Sequence, residues 1–435
     1  MRTLLGCGFL AATFLTASCL VGGSAVATEG ADATPADQCV LEVQTPAGAT
    51  VTLDGKNYGE RRRFEWDSLA AGESYVSQLR VRFADGGEAQ RTVLIQGGRK
   101  IEMPVRAASR IVFQFFMPKE KHEDDLFVTS ADGSGTRRLT ETEKQEESKP
   151  KLSPDGATIV FLRGLHIYLM NADGSGERPF TSDSSITTVE PAIWSPDGRS
   201  IAFHHRTDGE DCVWVGDVAT GKSRRLVTNG SDPSWSLDGR RLLYEEYTEL
   251  NRKADGVDSR NDLKVIDVAG GTPQHVTQGE NGAWSPDGLR LAFLRTVNEH
   301  DDRLKEKVER SYLFVADPDG KNEQRAAKAY NFAWSPDGSR LAYLNDDLFI
   351  ADASGKQPRT LLKGEETRTG YEVYDELCWS PDGTALAVVR YRYNPDDESG
   401  GIVPEDGQIQ VVNVATGQAK TIVHFKGLPL RIDWR

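Results

Sequence analysis

The sequence has few of the residues that build disulfide scaffolds and metal centres. It contains 5 cysteines and 7 histidines in 435 residues, and the three cysteines beyond residue 27 are widely separated. Cys378 precedes Trp379 in a predicted strand, where a small buried apolar residue is expected. The spacing favours neither a disulfide framework nor a zinc site, and it leaves open a single bridge between Cys39 and Cys212.

The chain also lacks a basic charge excess and, beyond its N-terminus, any long hydrophobic run. Its formal net charge is -14, whereas a nucleic-acid-binding surface needs a basic patch. The apolar stretch Thr3–Val21 follows Arg2 and precedes Ala25-Val26-Ala27, the order of a secretory signal and its cleavage site. We therefore predict no nucleic-acid partner, a signal peptide of residues 1–27 and no transmembrane segment after cleavage.

Two alternatives concern the fate of the exported chain. Leu15–Cys19 resembles a lipobox, with Thr16 where Leu is usual, so that a lipid anchor through Cys19 is the alternative to a freely exported protein.

Residues 28–39 are small, polar and uncapped, which predicts a flexible tether. The expected location is the periplasm or cell envelope.

Motifs for a catalytic nucleophile are absent as well. No Gly-x-Ser-x-Gly sequence occurs, the motif that positions the nucleophile of α/β-hydrolases. His204 and His205 are the only adjacent histidines, and strand alternation directs them to opposite faces, so that they would not chelate one ion together. A metal or acid-base site at this pair, with Asp208, Glu210 and Asp211 nearby, is the alternative to a polar loop.

A second acidic segment is Asp317-Pro318-Asp319-Gly320. It lies at a repeat turn and lacks the spaced oxygen ligands of a calcium-binding loop, so we interpret it as a turn. We predict no catalytic residue, no cofactor and no metal ion.

What the chain has in abundance is one short repeated sequence. Its copies are Leu152–Gly156, Trp194–Gly198, Trp235–Gly239, Trp284–Gly288, Trp334–Gly338 and Trp379–Gly383. Their serines are 41 to 50 residues apart, the period of a four-stranded propeller blade. Ser-Pro-Asp-Gly suits a type I turn, because Pro fixes φ at the second position and Gly accepts positive φ at the fourth. The repeats therefore predict an all-β propeller in which the Trp ends the first strand of each blade.

Strands left over at the two ends of the repeat region determine the blade number. Ile111–Phe115, Leu126–Ser130 and Arg137–Thr140 have no first strand before them, and Arg431–Trp434 supplies one at the C-terminus. If these strands pair, they complete a blade beyond the six turns. The sequence predicts seven blades, with six as the alternative, and a closed ring without the exposed edges of an open array.

The region before the repeats has a different pattern. Residues 40–105 contain short alternating strands separated by Gly-containing turns, which predicts a small β-sandwich. Pro46–Gly55 resembles the opening of PEGA-like modules, small β-domains of bacterial envelope proteins. The resemblance implies an accessory or spacer domain.

The repeats resemble the TolB-type propeller family. The resemblance rests on Pro191–Phe203, Asn171–Gly176 and Arg224–Leu226, and it covers residues 109–435. It implies a periplasmic protein-binding platform, with a lipoprotein as one candidate partner. Members of the family have six blades and a preceding α/β domain, whereas this sequence predicts seven blades and a preceding β-module.

Insertions cluster on one predicted face of the propeller. The long charged segments all connect the second and third strands of a blade: Met117–Asp125, His205–Cys212, Thr248–Asp262, Thr296–Ser311 and Tyr391–Gln408. Gly370–Glu376, before the first strand of a blade, adds two tyrosines to the same face, and Asp302–Ser311 is suited to a short helix. Clustered insertions are how repeat proteins usually build a binding surface.

We expect the insertion-rich face to bind a protein partner of the cell envelope without catalysis. The candidate contact residues are Arg303, Lys307, Arg310, Tyr371, Tyr374, Tyr391 and Tyr393. The alternative is a carbohydrate-active enzyme such as a polysaccharide lyase, for which convergent His, Asp and Arg side chains at the channel mouth would be the signature.

Overall fold

A computed structural model describes residues 37–435, except 46–47, 68, 70–73, 84–87, 105–109, 117–123, 143–144, 182–185, 189, 254–255, 302–304, 365, 368–369, 394–406 and 426–427. The described residues are all-β, and among them no helix is long and apolar enough to span a membrane. The predicted signal peptide, Cys19 and residues 28–36 of the predicted tether lie outside the described residues.

Two sheets form the N-terminal β-module. Their strand orders are β4-β1-β7 and β3-β2-β5-β6. The strands are β1 (Cys39–Gln44), β2 (Thr50–Leu53), β3 (Lys56–Asn57), β4 (Arg63–Trp66), β5 (Ser74–Arg82), β6 (Glu88–Gln96) and β7 (Arg99–Pro104). Along β5, Ser77, Leu79 and Val81 are buried while Arg80 and Arg82 are exposed, the alternation of a strand with one face in a core.

The start of β1 corrects one end of the predicted tether. Cys39 was expected to close the flexible segment 28–39, but it is the first residue of β1 and is fully buried. Asp37 and Gln38 accept backbone hydrogen bonds from Leu69 and Gly98. Satisfied backbone groups next to a buried strand residue hold this end of the segment in place.

Seven sheets follow the β-module along the described chain, numbered here sheets 1 to 7. Sheet 1 contains β8 (Arg110–Phe116), β9 (Asp124–Ser130), β10 (Arg137–Arg138) and the last strand, β36 (Leu428–Trp434). Sheet 2 contains β11 (Glu147–Leu152), β12 (Thr158–Arg163), β13 (His166–Asn171) and β14 (Arg178–Pro179). Sheet 3 contains β15 (Ile193–Trp194), β16 (Ser200–Thr207), β17 (Glu210–Asp217) and β18 (Ser223–Thr228).

The remaining sheets continue the same order. Sheet 4 contains β19 (Ser231–Trp235), β20 (Arg241–Lys253), β21 (Gly256–Asp267) and β22 (Gln274–Gln278). Sheet 5 contains β23 (Glu280–Trp284), β24 (Leu291–Asp301), β25 (Glu306–Ala316) and β26 (Gln324–Lys328). Sheet 6 contains β27 (Asn331–Trp334), β28 (Arg340–Leu344), β29 (Leu348–Asp352) and β30 (Arg359–Leu362). Sheet 7 contains β31 (Glu366–Thr367), β32 (Gly370–Trp379), β33 (Ala385–Tyr393), β34 (Gly407–Asn413) and β35 (Ala419–Phe425).

The two ends of the repeat region meet in sheet 1. The C-terminal strand β36 pairs antiparallel with β8, with Trp434 opposite Ile111. This is the pairing expected from the unmatched strands at the two ends, and it gives β8 a neighbour on each side. The count of seven blades remains a prediction from the repeats.

Repeated tryptophans pack between neighbouring sheets. Trp235, Trp334 and Trp379 are 3% exposed or less. Each indole N–H donates to a backbone carbonyl of the preceding sheet, as Trp334 does to Ala283 at 3.4 Å and Trp379 to Ala333 at 3.1 Å. A buried aromatic ring whose polar atom is satisfied across the interface joins one sheet to the next.

The three cysteines beyond residue 27 are buried and form no disulfide bond: Cys39, Cys212 and Cys378. The bridge that the sequence left open between Cys39 and Cys212 does not form. Cys378 lies in a hydrophobic cluster with Trp379 and Leu386, the small apolar role expected of it.

Candidate functional site

The two ends of the propeller are built from different connections. We call the end that carries the Ser-Pro-Asp-Gly turns the turn face, and the end that carries the connections between second and third strands the hairpin face. Consecutive turns lie side by side on the turn face, with Gly198 next to Pro154 and Gly239 next to Pro196.

Each turn on the turn face has the same local hydrogen bonds. Ser335 Oγ donates to Asp337 Oδ1 at 2.6 Å, and the Ser339 N–H donates to the same oxygen at 3.0 Å. The Gly338 N–H donates to the Ser335 carbonyl, and Gly338 has a φ of 70°. These short-range bonds depend only on the motif, which is why the turns are alike.

The β-module covers part of the turn face. Thr92 Oγ1 in β6 donates to the Pro336 carbonyl at 3.1 Å, and the Gln90 N–H donates to the Pro381 carbonyl at 3.1 Å. Arg91 Nη2 reaches the Pro154 carbonyl at 3.5 Å. The strand β6 therefore contacts the turns of sheets 2, 6 and 7, and this end of the propeller is occupied by the chain itself.

Arg91 is the charged residue of this contact. It is buried, and burial together with the nearby charge of Arg435 lowers the pKa of its guanidinium to about 10, while Asp155 acts in the opposite direction. Burying a guanidinium is costly unless its N–H groups find acceptors. Arg91 Nη1 donates to the Gln90 carbonyl at 2.8 Å.

The opposite face carries β-hairpins, which corrects the expectation of loops. The segments Thr248–Asp262 and Thr296–Ser311 belong to the hairpins β20–β21 and β24–β25. The hairpin strands β24 and β25 of sheet 5 have 11 residues each, against 5 each in the hairpin of sheet 6. Six further residues at about 3.3 Å per residue extend the sheet 5 hairpin by roughly 20 Å beyond its short neighbour.

The short helix expected over Asp302–Ser311 is wrong. Glu306–Ala316 is the strand β25, and Val308, for example, lies opposite Glu299 of β24. Charges spaced four residues apart suit one face of a helix, but the same spacing also occurs in strands. Hydrogen bonding to β24 outweighs the local preference for a helix.

Glu299 organises the charges of the sheet 5 hairpin. It accepts hydrogen bonds from Tyr312 Oη at 2.6 Å and Arg325 Nη1 at 2.7 Å, and Arg310 Nη1 lies 3.8 Å away. The two arginines and the tyrosine lower the pKa of the Glu299 carboxyl. Arg325 also stacks over the Tyr312 ring, 3.5 Å from its centroid. These contacts tie the outer part of the hairpin to the neighbouring strand β26.

The predicted basic contact residues differ in exposure. Arg310 is half-buried beside Glu299. Lys307 is exposed near the tip, close to the exposed Glu306 and Glu309. Arg303 lies outside the described residues.

The predicted tyrosines have two different environments. Tyr374 and Tyr391 are buried in the core that sheet 7 shares with its neighbours, and burial raises the pKa of Tyr391. Tyr371 and Tyr393 lie opposite each other at the far ends of β32 and β33. Burial of the first pair favours a packing role, so the aromatic contact surface that the sequence suggested is smaller than expected.

Exposed aromatic and apolar side chains occur elsewhere on the hairpin face. Tyr247 in β20 is 49% exposed, Leu165 at the β12–β13 turn is 50% exposed, and Tyr330 just before β27 is 36% exposed. The three side chains belong to sheets 2, 4 and 6, so they are separate exposed groups on this face rather than one patch. Sequence analysis missed all three, because none of them lies within the long inserted segments.

A set of polar residues lines the central channel, and sequence analysis missed it. The position three residues before the Trp position holds Lys149, Asp232, Asn281, Asn331, Glu376 and Arg431. The register of the first strand shifts at this position in five sheets. Lys149, Asp232, Asn281 and Arg431 there have positive φ values between 45° and 54°. A recurrent β-bulge therefore re-aims one side chain per strand.

The charged members of this set converge with Glu190, which precedes the first strand of sheet 3, and we call Lys149, Glu190, Asp232, Glu376 and Arg431 the channel cluster. The Lys149 ammonium interacts electrostatically with the other four, three of which belong to sheets 1, 4 and 7. Arg431 Nη1 forms an ion pair with Glu376 Oε1, and Lys149 Nζ lies 3.9 Å from Glu190 Oε2. Side chains from so many sheets meet only at the channel axis.

Burial sets the protonation of the channel cluster. It raises the pKa of the Glu190 carboxyl to about 7, with a further contribution from Asp232. It also raises the pKa of Asp232 and lowers that of the Lys149 ammonium. Beside the cluster, burial and the neighbouring Glu376 raise the pKa of Asp375 to about 7. Glu190 and Asp375, with pKa values of about 7, therefore change charge near neutral pH.

The histidine pair lies next to this cluster but does not act as a unit. His204 Nε2 is 2.9 Å from Asp211 Oδ1, and His204 interacts electrostatically with Asp232. His205 Nδ1 is 2.7 Å from the Thr187 carbonyl, and its ring packs against Trp214. Within the described ranges, no group of three or more His, Cys, Asp or Glu side chains is placed to hold a metal ion.

The acidic turn at Asp317–Gly320 is a turn with local partners. The Gly320 N–H donates to the Asp317 carbonyl, and Lys321 Nζ forms an ion pair with Asp319 Oδ2 at 2.6 Å. A lysine therefore faces the carboxylate that a calcium ion would need.

Comparisons with known proteins concern the repeats and the fold. No family model matches the chain. The chain is 32% identical over 133 residues to Protein TolB homolog of Chlorobium chlorochromatii, a match that spans 29% of this chain and 28% of the relative. It is 40% identical over 76 residues to the Tol-Pal system protein TolB of Zymomonas mobilis, across 17% of this chain and 16% of the relative. The matches thus span under a third of these curated relatives.

A solved structure with a similar fold is the oligogalacturonate lyase from Vibrio parahaemolyticus. It superimposes with a TM-score of 0.50 at 10% identity and covers 79% of this chain and 99% of the lyase. Identity that low concerns the fold alone. The repeated turns, the four-stranded sheets and the sequence matches together identify the repeat region of the chain as a TolB-like β-propeller.

Proposed function

We propose that this chain is an exported protein of the bacterial cell envelope that binds a protein partner on the hairpin face of its propeller and performs no catalysis. The observation that carries the proposal is the asymmetry of the two faces. The turn face is regular and contacted by β6 of the module, whereas the hairpin face has long charged hairpins. A partner therefore has the hairpin face available to it.

The chemistry of the hairpin face fits a protein surface. Exposed Tyr247 and Leu165 supply apolar contact area, while exposed Lys307 and its acidic neighbours supply charges of both signs. Protein interfaces combine such aromatic contacts with a polar rim. The net charge of -14 adds long-range steering toward a basic partner.

The envelope location and the class of partner extend the likeness of the repeats. One curated relative carries the name Tol-Pal system protein TolB, and the N-terminal sequence of this chain has the order of an export signal. A role in an envelope assembly of the Tol-Pal type, with a lipoprotein as the partner, belongs to this proposal.

The experiment is a pull-down with the mature tagged protein from an envelope extract, followed by mass spectrometry. In the test variant, a short Gly-Ser linker replaces residues 300–309 and leaves Glu299 with its contacts to Tyr312 and Arg325. We expect this variant to lose the partner and to melt close to the parent temperature, because the contacts of Glu299 stay in place.

The matched control changes the turn face. Asp197→Asn and Asp238→Asn keep the oxygen that accepts from Ser195 and Ser236, and the doubly substituted protein should retain the partner. Loss of the partner in this control, with retention in the hairpin variant, would overturn the assignment of the binding face.

A second candidate function is a carbohydrate-active enzyme that uses the channel mouth. The specific observation in its favour is that Lys149, Glu190 and Arg431 converge there, with His204 and Asp211 beside them. A lyase acting on acidic polysaccharides would need such a base and cations to neutralise the substrate carboxylates. Incubation with oligogalacturonides, followed by ultraviolet absorbance of unsaturated products, tests it. Turnover that His204→Ala abolishes would favour the enzyme over the binding platform.

A further inference from the structure

We propose that the channel mouth on the hairpin face is a binding pocket for one basic side chain, a lysine or arginine that the partner protein inserts along the channel axis. The inference rests on the proposed function and names the chemical group that this face recognises. It follows from the charge balance of the mouth, from buried carboxylate oxygens without hydrogen bonds, and from the contacts of the β-module at the opposite end of the propeller.

The charge balance of the channel mouth favours a cation. Three basic residues, Lys149, Arg431 and His204, face a larger number of carboxyls: Glu190, Asp232, Glu245, Glu280, Asp375 and Glu376. Glu245 Oε1 accepts a hydrogen bond from the Asn281 N–H and interacts electrostatically with Asp232, Glu280 and Glu190. These carboxyls, from sheets 4, 5 and 7 and from the segment before sheet 3, form one connected group that outnumbers the basic residues described beside it.

Two of these carboxylates have an oxygen without a hydrogen-bond partner among the described residues. Glu376 is 2% exposed and Glu190 is 7% exposed, and in each the buried Oε2 atom accepts no hydrogen bond. Glu376 Oε1 is bound by Arg431, while for Glu190 Oε2 the Lys149 ammonium lies at 3.9 Å, beyond hydrogen-bond distance. Buried acceptors of this kind are costly unless a donor reaches them. A basic side chain brings several N–H donors to one place.

The position of the cluster favours an approach from the hairpin face. Lys149, Asp232, Glu376 and Arg431 lie three residues before the Trp position and away from the turn. At the turn face, β6 contacts the turns of sheets 2 and 6 through Arg91 and Thr92. We therefore place the entry of the ligand at the hairpin face, where the partner is proposed to dock.

The rim of the pocket suits the stem of a long side chain. Tyr330 is 36% exposed at the hairpin-face end of sheet 6, and its hydroxyl donates to the Tyr374 carbonyl. An aromatic ring held in this way can pack against methylene groups or the face of a guanidinium. The next residue, Asn331, belongs to the inward-facing set and donates to the Asp375 carbonyl at 3.0 Å.

A bare divalent cation is a poorer occupant. Within the described part of the chain, the acidic groups do not approach one another closely enough to supply three ligands to one ion. Calcium needs six to eight oxygen ligands at short distances, whereas a guanidinium or ammonium satisfies acceptors that are spread over several ångströms.

The test uses short peptides as probes of the full exported chain. The peptide acetyl-Gly-Gly-Arg-Gly-Gly-amide, its lysine analogue and its citrulline analogue are titrated and followed by isothermal titration calorimetry. We expect the arginine or the lysine peptide to bind and the neutral citrulline peptide to bind about tenfold more weakly, the loss expected for a charge-assisted hydrogen bond. This comparison needs no variant, so it does not depend on folding of a substituted protein.

Variants then locate the binding. Glu190→Gln and, separately, Glu376→Gln should each weaken the basic peptide about tenfold. Asp319→Asn, which changes an exposed turn carboxylate paired with Lys321, is the matched control and should leave the affinity unchanged. Cooperative melting of Glu190→Gln shows that its loss of affinity is not a loss of fold.

Three outcomes would overturn the inference. They are equal binding of the arginine and citrulline peptides, wild-type affinity in both glutamine variants, and stabilisation by calcium chloride without binding of either basic peptide. In the pull-down, retention of the partner by both glutamine variants together with its loss from the residue 300–309 variant would refute the basic-side-chain pocket and leave the proposed function intact. Peptide binding by a protein that retains no partner would refute the proposed function alone.

Discussion

The turn face and the hairpin face of this propeller are made from the same sheets but follow different rules. On the turn face, Ser335, Asp337 and Gly338 and their counterparts repeat one set of hydrogen bonds. On the hairpin face, the hairpin of sheet 6 has 5-residue strands while that of sheet 5 has 11-residue strands. The uniform turns at one end maintain the ring, and the hairpins of different length at the other end provide a surface that can recognise a partner.

The same contrast appears in how the two faces deal with charge. Turn-face carboxylates such as Asp337 are satisfied within their own turn, and hydrogen bonds from Ser335 and Ser339 keep the pKa of Asp337 below its usual value despite burial. Channel-mouth carboxyls such as Glu190 have too few donors, and their pKa values are raised. Groups that are satisfied locally stabilise a fold, whereas incompletely satisfied groups are frequent at functional sites.

The largest expected effect comes from opening the ring. Deletion of Leu430–Arg435 should abolish cooperative unfolding, because β8 loses its inner neighbour and exposes an unpaired strand edge. The turn face and the hairpin face should then unfold together. Differential scanning calorimetry measures it, and a truncated protein that melts cooperatively within about 2 °C of the parent would show that β36 is not structurally required.

The next effect concerns the packing beneath the turn face. Trp334→Ala should lower the free energy of unfolding by about 3–5 kcal/mol, the usual cost of truncating a buried aromatic side chain. Urea denaturation measures the change. Partner retention should survive at temperatures where the variant is folded, and its loss in a protein of unchanged stability would instead make Trp334 a contact residue.

A pH effect should separate the channel mouth from the turn face. The folded-state pKa values of Glu190 and Asp375 are about 7, above the ordinary values of 4.5 and 3.8. Raised pKa values stabilise the folded protein at low pH, and this contribution is lost as the pH rises through the folded value. Unfolding free energy should therefore fall between pH 5 and pH 8, by about 1–3 kcal/mol for Glu190.

The variant Glu190→Gln should flatten this decline, since its amide does not titrate. Glu306→Gln, which changes an exposed hairpin carboxylate, is the control and should leave the decline as it is. Identical pH profiles for the parent and Glu190→Gln, measured by urea denaturation, would contradict the account of the channel mouth.

The smallest effect concerns the contact between the β-module and the turn face. Thr92→Val removes the hydrogen bond to the Pro336 carbonyl and should cost about 1 kcal/mol. Limited proteolysis should cut the variant faster between the two parts of the chain, while partner retention stays at the parent level. A loss of the partner in this variant would mean that the β-module contributes to recognition.

Sequence alone was sufficient for the features that are encoded locally. The Ser-Pro-Asp-Gly turns form as expected because Asp197 and its counterparts bind atoms two residues away. The closure through Arg431–Trp434 was also predictable. The repeat region begins with three strands that lack a first strand, and its C-terminus supplies one.

Features that depend on distant partners were not predictable in the same way. The segment from Asp302 to Ser311 has the charge spacing of a helix, yet Glu306–Ala316 pairs with Leu291–Asp301. Burial of Tyr374 and Tyr391 follows from the neighbours of sheet 7 rather than from their own segment.

The channel cluster shows where a signal existed and was overlooked. Lys149, Asp232, Glu376 and Arg431 share one position relative to the Trp position of their repeats. Alignment of the repeats on that position displays a polar column in strands that are otherwise apolar. Convergence at the channel axis, however, follows only from the ring, because these residues are far apart in sequence.

The most direct test of the central claim is site-specific photo-crosslinking in intact cells. Benzoylphenylalanine replaces exposed Lys307 near the tip of the sheet 5 hairpin or exposed Arg199 next to a turn of the turn face. We predict that the probe at position 307 forms a covalent adduct with another envelope polypeptide and that the probe at position 199 forms none. An adduct at position 199 without one at position 307 would contradict recognition through the hairpin face.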